Sequence, residues 1–150
     1  MSHFIPWRLY RRILETMPIP CVDIAIVANG AVLLVRRNDA PAIGQWWLPG
    51  GRVYKGEMMK DAAIRKAREE VGIDCHVGPI IHTAETIFPD GPEGIPVHSI
   101  NSCFFMYPVH ARFEVKLDPH QTEFRWTDHI PEGLHPYVER CLIGAGLTPR

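Results

Sequence analysis

Residues 49–73 carry most of the information in this sequence and read PGGRVYKGEMMKDAAIRKAREEVGI. The apolar spacing predicts a helix from about Met58 to Val71, ended by Gly72, which suits a helix C-terminus. At about 100° per residue, one side of this helix is apolar and the other is charged. The apolar side comprises Ala63, Ile64, Ala67 and Val71, and the charged side Arg65, Lys66, Glu69 and Glu70. We expect the apolar side to pack on a sheet and the carboxylates to face outward.

The charged side of this helix is suited to binding a metal ion. Glu57, in the loop just before the helix, can join Glu69 and Glu70 there. Three carboxylates beside the Gly50-Gly51 turn, whose carbonyl groups are accessible, form the oxygen-only site that Mg²⁺ or Mn²⁺ prefers. Such an ion neutralises a diphosphate and assists its displacement.

A solvated amphipathic helix is the alternative for this segment. Two pairs of opposite charge lie four residues apart, namely Arg65 with Glu69 and Lys66 with Glu70. Such pairs stabilise a helix by only tenths of a kcal/mol. The alternative does not require the Pro-Gly-Gly turn that precedes the helix, and this turn favours the metal site.

Length and composition predict one globular domain over residues 1–150. The chain has a mass of 17.0 kDa, with 46% hydrophobic and 22% charged residues, which excludes a disordered chain. Sixteen Lys and Arg against seventeen Asp and Glu give a net charge of −1, so we expect no nucleic-acid partner. No apolar run reaches the roughly 18–20 residues of a membrane helix, so we expect no membrane partner.

Cysteine usage and the N-terminus predict a cytoplasmic location. The first six residues lack the basic-then-apolar pattern of a signal peptide. The four cysteines are far apart and form no C-x-x-C pair, which favours reduced thiols. They are Cys21, Cys75, Cys103 and Cys141.

The remaining patterns predict an α+β fold with several antiparallel strands and helices at both ends. Asn29-Gly30 is a strong hairpin signal between two apolar runs. The predicted helices are Ile5–Met17 and Pro136–Ala145, besides the central one. The predicted strands are Val22–Ala28, Ala31–Arg36, Gln45–Leu48, Cys75–Phe88, Ile100–Val109 and Phe124–Trp126.

The segment quoted above resembles the Nudix box of the Nudix hydrolase family. That motif is a glycine, five residues, a glutamate, seven residues, then Arg-Glu-hydrophobic-x-Glu-Glu-x-Gly-hydrophobic. The residues that fit in register are Gly51, Glu57, Arg65, Glu69, Glu70, Gly72 and Ile73. The resemblance implies an α/β/α sandwich with a mixed sheet, and a box that forms a loop-helix-loop metal site. It also implies Mg²⁺-dependent hydrolysis of nucleoside-diphosphate-linked compounds.

One residue of the box departs from the family pattern. Lys66 stands where the family has the glutamate of Arg-Glu, which helps to bind metal or to activate water. A protonated lysine does neither. Glu69 and Glu70 are kept, so we expect metal binding with fewer carboxylates.

Residues 33–53 resemble the GDP-mannose mannosyl hydrolase branch of the family, which also lacks that glutamate. Members of this branch break the sugar C–O bond and release GDP and free sugar. The resemblance implies that a carbonyl of the Gly50-Gly51 turn and Glu70 bind metal. It also implies substrate contacts for Asp23, which lies in the first strand, and diphosphate contacts for Arg37, Arg52 and Arg65. A homodimer is expected from the resemblance as well.

The general base of this branch is a histidine directly after a metal-binding glutamine. Here the order is reversed, with His120 before Gln121. We expect His120 to act as the base and Gln121 as a metal ligand, with His98 as a less favoured candidate base. Arg37 and Glu69 complete the catalytic candidates.

Two adjacent tryptophans can supply a wall for a base or a sugar. Strand alternation predicts that one of Trp46 and Trp47 faces the core. We take Trp47 as the substrate-binding candidate.

Two other functions stay open at this point. One is an ordinary Nudix pyrophosphohydrolase of a nucleotide or an ADP-ribose-like compound, with Glu57, Glu69 or Glu70 as its base. The other is a Nudix-like module that binds a nucleotide sugar without catalysis, which Lys66 favours and the retained glutamates oppose.

Overall fold

The computed structural model describes residues 3–150. Helices α1, α2 and α3 are Trp7–Thr16, Met59–Val71 and Pro136–Gly144, and a 3₁₀ turn spans Pro92–Gly94. Strands β1 to β4 are Ile19–Ala28, Ala31–Arg37, Trp46–Trp47 and Gly50–Arg52. Strands β5 to β7 are Cys75–Phe88, Val97–Pro108 and Gln121–Thr127. None of the helices within residues 3–150 is long and apolar enough to cross a membrane.

The strands form one mixed sheet in which β1 is central. The order is β3-β2-β1-β6-β5, with β4 paired to β1 and β7 paired to β2. Only β1 and β6 run parallel among these pairs. The β1–β2 hairpin turns at Asn29 and Gly30, whose φ angles of 52° and 76° are those that a tight hairpin requires.

Helix α2 covers one face of the sheet. Its Ala67 and Val71 are fully buried and pack with Ile24 and Met106 in one core cluster. It ends at Gly72, whose φ of 69° is left-handed. The predicted helix is therefore confirmed, with its first residue at Met59.

Helices α1 and α3 cover the other face. Cys141 and Leu142 of α3 pack on Ala25 and Cys103, and Leu14 of α1 packs on Ile19. The fold is an α/β/α sandwich, as the resemblance implied. All four cysteines are free thiols.

The segment predicted as a Gly-Gly turn is instead strand β4. Gly51 pairs with Val22 and Gly50 with Asp23 of β1. The absence of side chains is what permits this position. A Cβ on Gly50 would overlap the Asp23 carboxylate and the Val22 carbonyl oxygen, and one on Gly51 would lie 2.7 Å from Lys66 Cε.

Several other predicted strands are longer in the structure. β1 begins at Ile19 because it is paired with β6 from Ile19 and Ser99 onward. β7 begins at Gln121 because Gln121 pairs with Arg37 at the end of β2. These extensions come from pairing between distant strands, which local sequence does not report.

We predict that Gly50→Ala destabilises the fold more than Gly51→Ala. The new methyl group at residue 50 meets fixed backbone and a buried carboxylate, whereas the one at residue 51 meets a flexible lysine end. The expected loss of unfolding free energy is at least about 1–3 kcal/mol for Gly50→Ala. Urea unfolding of both variants measures it, and equal losses would contradict the close approach of β4 to β1.

Candidate active site

A cavity of about 340 Å³ lies on the face of the sheet that carries α1 and α3. Alternate residues of three strands form its floor, as side-chain alternation requires. They are Ile19, Cys21 and Asp23 of β1, Val97, Ser99 and Asn101 of β6, and Thr86 and Phe88 of β5. Helix α1 contributes Tyr10 and Leu14 to the wall, and β4 forms another side.

The polar end of the cavity is built around Glu70. This side chain lies in α2 and its residue is only 3% exposed. Its carboxylate accepts hydrogen bonds from the Gly50 amide at 2.8 Å and from Gln121 Nε2 at 2.7 Å. Burial raises the pKa of Glu70, and the nearby charge of Lys66 opposes that rise.

Lys66 passes over Gly51 to reach the same end of the cavity. Its Nζ lies 3.9 Å from Glu70 Oε1 and 3.5 Å from Glu69 Oε2. The side chain is 14% exposed, so this ammonium group is a largely buried positive charge beside Glu70. The box residue that departs from the family pattern thus lines the cavity itself.

The residues around Glu70 fit a divalent cation. Gln121 Oε1 is buried and has no hydrogen-bond partner, so it is available as a ligand. The residues on either side of β4 are hydrogen-bonded to β1, from the Ile24 amide to the Pro49 carbonyl and from the Val53 amide to the Pro20 carbonyl. By ladder alternation, the amide and carbonyl of Gly50 point away from β1, and the amide reaches Glu70. A carboxylate, an amide oxygen and a carbonyl are the hard ligands that Mg²⁺ takes.

The expected convergence of three carboxylates is wrong. Within residues 3–150 there is no group of three or more His, Cys, Asp or Glu side chains that could hold a metal ion. Glu57 is held by Arg65 through bonds of 2.8 and 2.9 Å, which lower the pKa of Glu57. Glu69 is 44% exposed and pairs with Arg65 and Lys66. Arginine therefore neutralises two of the three predicted ligands.

The three predicted phosphate-binding arginines lie in different settings. Arg37 and Arg52 line the cavity. Arg65 does not, because its guanidinium is bound by Glu57, Glu69 and the Arg52 carbonyl and stacks on Tyr54 at 3.7 Å. This geometry gives Arg65 a positioning role in the loop-helix-loop.

Asp23 is a buried carboxyl group in the floor of the cavity. It accepts a hydrogen bond from the Tyr137 hydroxyl at 2.8 Å and another from the Trp47 side chain. Burial is the main reason that the pKa of Asp23 is raised to about 7. Trp47 is the buried tryptophan and lines the cavity, whereas Trp46 is partly exposed and stacks with Arg125.

His120 lies at the mouth of the cavity and is oriented by Asp39, whose carboxylate contacts Nδ1. This hydrogen bond is the main reason that the pKa of His120 is raised. The reversed order of His120 and Gln121 has a simple spatial result: Gln121 reaches Glu70, and His120 lies on the rim. His98 is exposed on the opposite face of β6 and does not line the cavity.

Sequence reasoning missed five residues of this region. Tyr137 and Asp39 come from distant elements, and no local pattern marks them. Ser99 and Asn101 could have been found from the sequence, because two polar residues at alternate positions of an apolar strand indicate a polar patch on one of its faces. The missed residues are Asp39, Thr86, Ser99, Asn101 and Tyr137.

We predict that Asp23→Asn becomes progressively more stable than the wild type between pH 4 and 7. With a folded pKa of about 7 against 3.8 ordinarily, Asp23 binds more protons folded than unfolded, so its contribution falls as pH rises through this interval. Each pKa unit is worth about 1.4 kcal/mol. Asp23→Asn also removes the charge interactions of Asp23 with Glu70 and Arg37, so the difference reports Asp23 together with these couplings. Urea unfolding across this pH range tests it, and a pH-independent difference would contradict the assignment.

Comparisons with known proteins agree with this geometry. The NUDIX domain model matches residues 17–130. The low-salt glycan biosynthesis protein Agl8 of Haloferax volcanii is 36% identical over 146 residues, covering 92% of this chain and 88% of that protein. An ADP-ribose pyrophosphatase of Methanocaldococcus jannaschii is 28% identical over 116 residues, covering 77% and 66%.

Solved structures give the same result. A MutT NUDIX hydrolase from Burkholderia pseudomallei superposes with a TM-score of 0.71 at 26% identity, covering 85% of this chain and 98% of that one. The family model spans more than half of the chain. The structure has the fold, the box helix and the group formed by Glu70, Gly50 and Gln121, which we call the Glu70 corner. The chain therefore belongs to the NUDIX domain family and is a Nudix hydrolase of nucleoside-diphosphate-linked compounds.

Proposed function

We propose that this protein is a Mg²⁺-dependent hydrolase of a nucleotide sugar, of the GDP-mannose type, and that it releases a nucleoside diphosphate and free sugar. The observation that carries the proposal is the position of Lys66. Its ammonium group lies 3.9 Å from Glu70, where the family pattern has a carboxylate. Attack of water on phosphorus is thereby disfavoured, because an ammonium group cannot accept a proton.

The other carboxylates of the box do not replace the missing one. Arg65 pairs with both Glu57 and Glu69, and neither carboxylate lines the cavity. The Arg65 hydrogen bonds also lower the pKa of Glu57, which makes Glu57 a weaker base. The α2 side of the cavity therefore lacks a free base for attack on phosphorus.

Glu70, Gln121 Oε1 and the Gly50 carbonyl would hold Mg²⁺, which supplies charge neutralisation for the departing diphosphate. Arg37 and Arg52 border the same cavity and present further positive charge. Their forked guanidinium groups suit bidentate contact with phosphate oxygens. Asp23 lines the same cavity, and its carboxyl group is the proposed acceptor of a hydrogen bond from a substrate hydroxyl.

His120 is the proposed general base. The Asp39 carboxylate contacts its Nδ1, which leaves Nε2 for a water molecule, the arrangement in which a carboxylate orients a catalytic imidazole. Attack at the sugar carbon requires a base on the sugar side of the cavity and none on the α2 side. The rim position of His120 supports this role.

The named relatives support two substrate classes. The name of the Haloferax protein refers to glycan biosynthesis, a process in which sugars are the reacting groups, and this favours a nucleotide sugar. The name of the Methanocaldococcus protein favours the second candidate, pyrophosphate hydrolysis of an ADP-ribose-like compound. The homodimer, the cytoplasmic location and the extent of the domain stay predictions.

The test is a panel of nucleotide sugars with Mg²⁺, in which both products are identified by chromatography and mass. We expect a nucleoside diphosphate and a free sugar. A nucleoside monophosphate with a sugar phosphate would overturn the proposal in favour of the pyrophosphohydrolase.

We predict that Glu70→Gln weakens Mn²⁺ binding at least about tenfold, because it removes the buried anionic ligand. Glu69→Gln is the matched control, since Glu69 is half-exposed and pairs with Arg65. Electron paramagnetic resonance titration of Mn²⁺ measures both. Equal affinities of the two variants would contradict the assignment of Glu70.

We predict that Asp39→Asn lowers the pKa of His120 toward its ordinary value, because the carboxylate stabilises the protonated imidazole. The neutral base then becomes available at lower pH, so the acid limb of kcat/KM shifts to lower pH. NMR titration of His120 reads the pKa directly. Asp128→Asn is the control, because it removes the carboxylate beside His129 instead. If the acid limb of the kcat/KM profile does not move in Asp39→Asn, His120 is excluded as the base.

A further inference from the structure

Three polar side chains lie together in the floor of the cavity, away from the Glu70 corner. They are Thr86, Ser99 and Asn101, with exposures of 5%, 9% and 5%. They come from adjacent strands, since Thr86 pairs with Ser99 in register, and Asn101 is two residues further along β6. Buried polar groups among apolar neighbours are costly unless they are hydrogen-bonded. The three side chains satisfy one another.

Their hydrogen bonds form a closed ring. The Thr86 and Ser99 hydroxyls are 2.8 Å apart, and Ser99 Oγ donates to Asn101 Oδ1 at 3.1 Å. Asn101 Nδ2 donates to Thr86 Oγ1 and to the Ala84 carbonyl, both at 3.2 Å. With Ser99 donating to Asn101, the Thr86 hydroxyl donates to Ser99. All four protons of the ring are then used, and each of the three oxygens keeps one free lone pair.

The ring therefore offers only acceptors to a ligand. Each sugar hydroxyl can donate its proton to one of these oxygens, and its own oxygen can rotate toward other partners. The edge of a nucleobase carries acceptors beside its donors, and these would remain unpaired against the ring. Trp47 and Phe88 also line the cavity, with their ring centroids 5.8 Å apart, and supply apolar surface for the C–H faces of a sugar.

The position of the ring fits a sugar attached to a diphosphate at the Glu70 corner. Asn101 is in register with Cys21, and Ser99 with Ile19, two and four residues from Asp23 along β1. At about 3.3 Å per residue along a strand and about 4.8 Å between strands, the backbone of Asn101 lies roughly 8 Å from that of Asp23, which pairs with Gly50. Ser99 and Thr86 lie roughly 14–16 Å from Asp23, so Asn101 is the ring member nearest to a sugar joined to the diphosphate.

We propose that Thr86, Ser99 and Asn101 form the sugar subsite and select substrates through the sugar hydroxyl groups. The inference rests on the proposed function, because the diphosphate must occupy the Glu70 corner. It adds three specificity-determining residues that belong to no part of the Nudix box.

Calorimetric titration tests the subsite without relying on turnover. The titrations are done in the presence of Ca²⁺ and compare three pairs of ligands: GDP with GDP-mannose, UDP with UDP-glucose, and ADP with ADP-ribose. Chromatography afterwards checks that the ligands are intact. We expect the wild type to bind at least one sugar-bearing compound about tenfold more tightly than its nucleoside diphosphate. Thr86→Val should abolish most of that gain and leave the affinity for the nucleoside diphosphate unchanged.

Two further variants separate the subsite from general damage to the sheet. Thr86→Ser keeps the hydroxyl and should keep the gain. Thr83→Val removes a hydroxyl that lies 3.3 Å from Ser102 on the opposite face of the same strands, and should change neither affinity. The subsite would be overturned if the wild type bound no sugar-bearing compound more tightly than its nucleoside diphosphate. It would also be overturned if Thr86→Val lowered the affinity for both ligands of a pair equally. Product analysis judges the proposed function separately.

Discussion

A carboxylate as deeply buried as that of Glu70 is stable only where donors surround it, and the polar end of this cavity is organised by that requirement. The Gly50 amide supplies one donor, which holds β4 against α2. Gln121 supplies another, which ties the start of β7 to the same point. The absence of a side chain at Gly50 and Gly51 lets Asp23 and Lys66 approach. The hydrogen-bonded group around Glu70 thus joins α2, β4 and β7 beside β1.

Lysine at residue 66 places a positive charge in this corner, where the family pattern has a carboxylate. The ammonium group offsets part of the Glu70 charge, and Arg65 draws the other box carboxylates into ion pairs. What remains in this corner is one carboxylate beside neutral oxygen atoms. We propose that this set holds a divalent cation on a diphosphate and does not activate water at phosphorus. The reacting bond is then expected at the sugar, with His120, oriented by Asp39, as the proposed base.

The sequence predicted the box helix and the hairpin because each depends on local periodicity or on a short turn signal, whereas the mixed sheet was implied by the resemblance. It predicted Glu70 and Gln121 as neighbours only through the resemblance. The prediction that Glu57 converges with Glu69 and Glu70 was wrong, because residue type and spacing do not reveal that the Arg65 guanidinium binds Glu57. The hydrogen bond between Asp23 and Tyr137 joins residues 114 positions apart, a contact that only the packing of α3 on the sheet creates.

Hydrolysis in ¹⁸O-labelled water tests the central claim most directly, because release of a nucleoside diphosphate and free sugar does not by itself reveal which bond was broken. If Lys66 excludes attack on phosphorus, the label enters the sugar and the nucleoside diphosphate stays unlabelled. Mass spectrometry of both products distinguishes the two routes. Label in the nucleoside diphosphate would contradict attack at carbon.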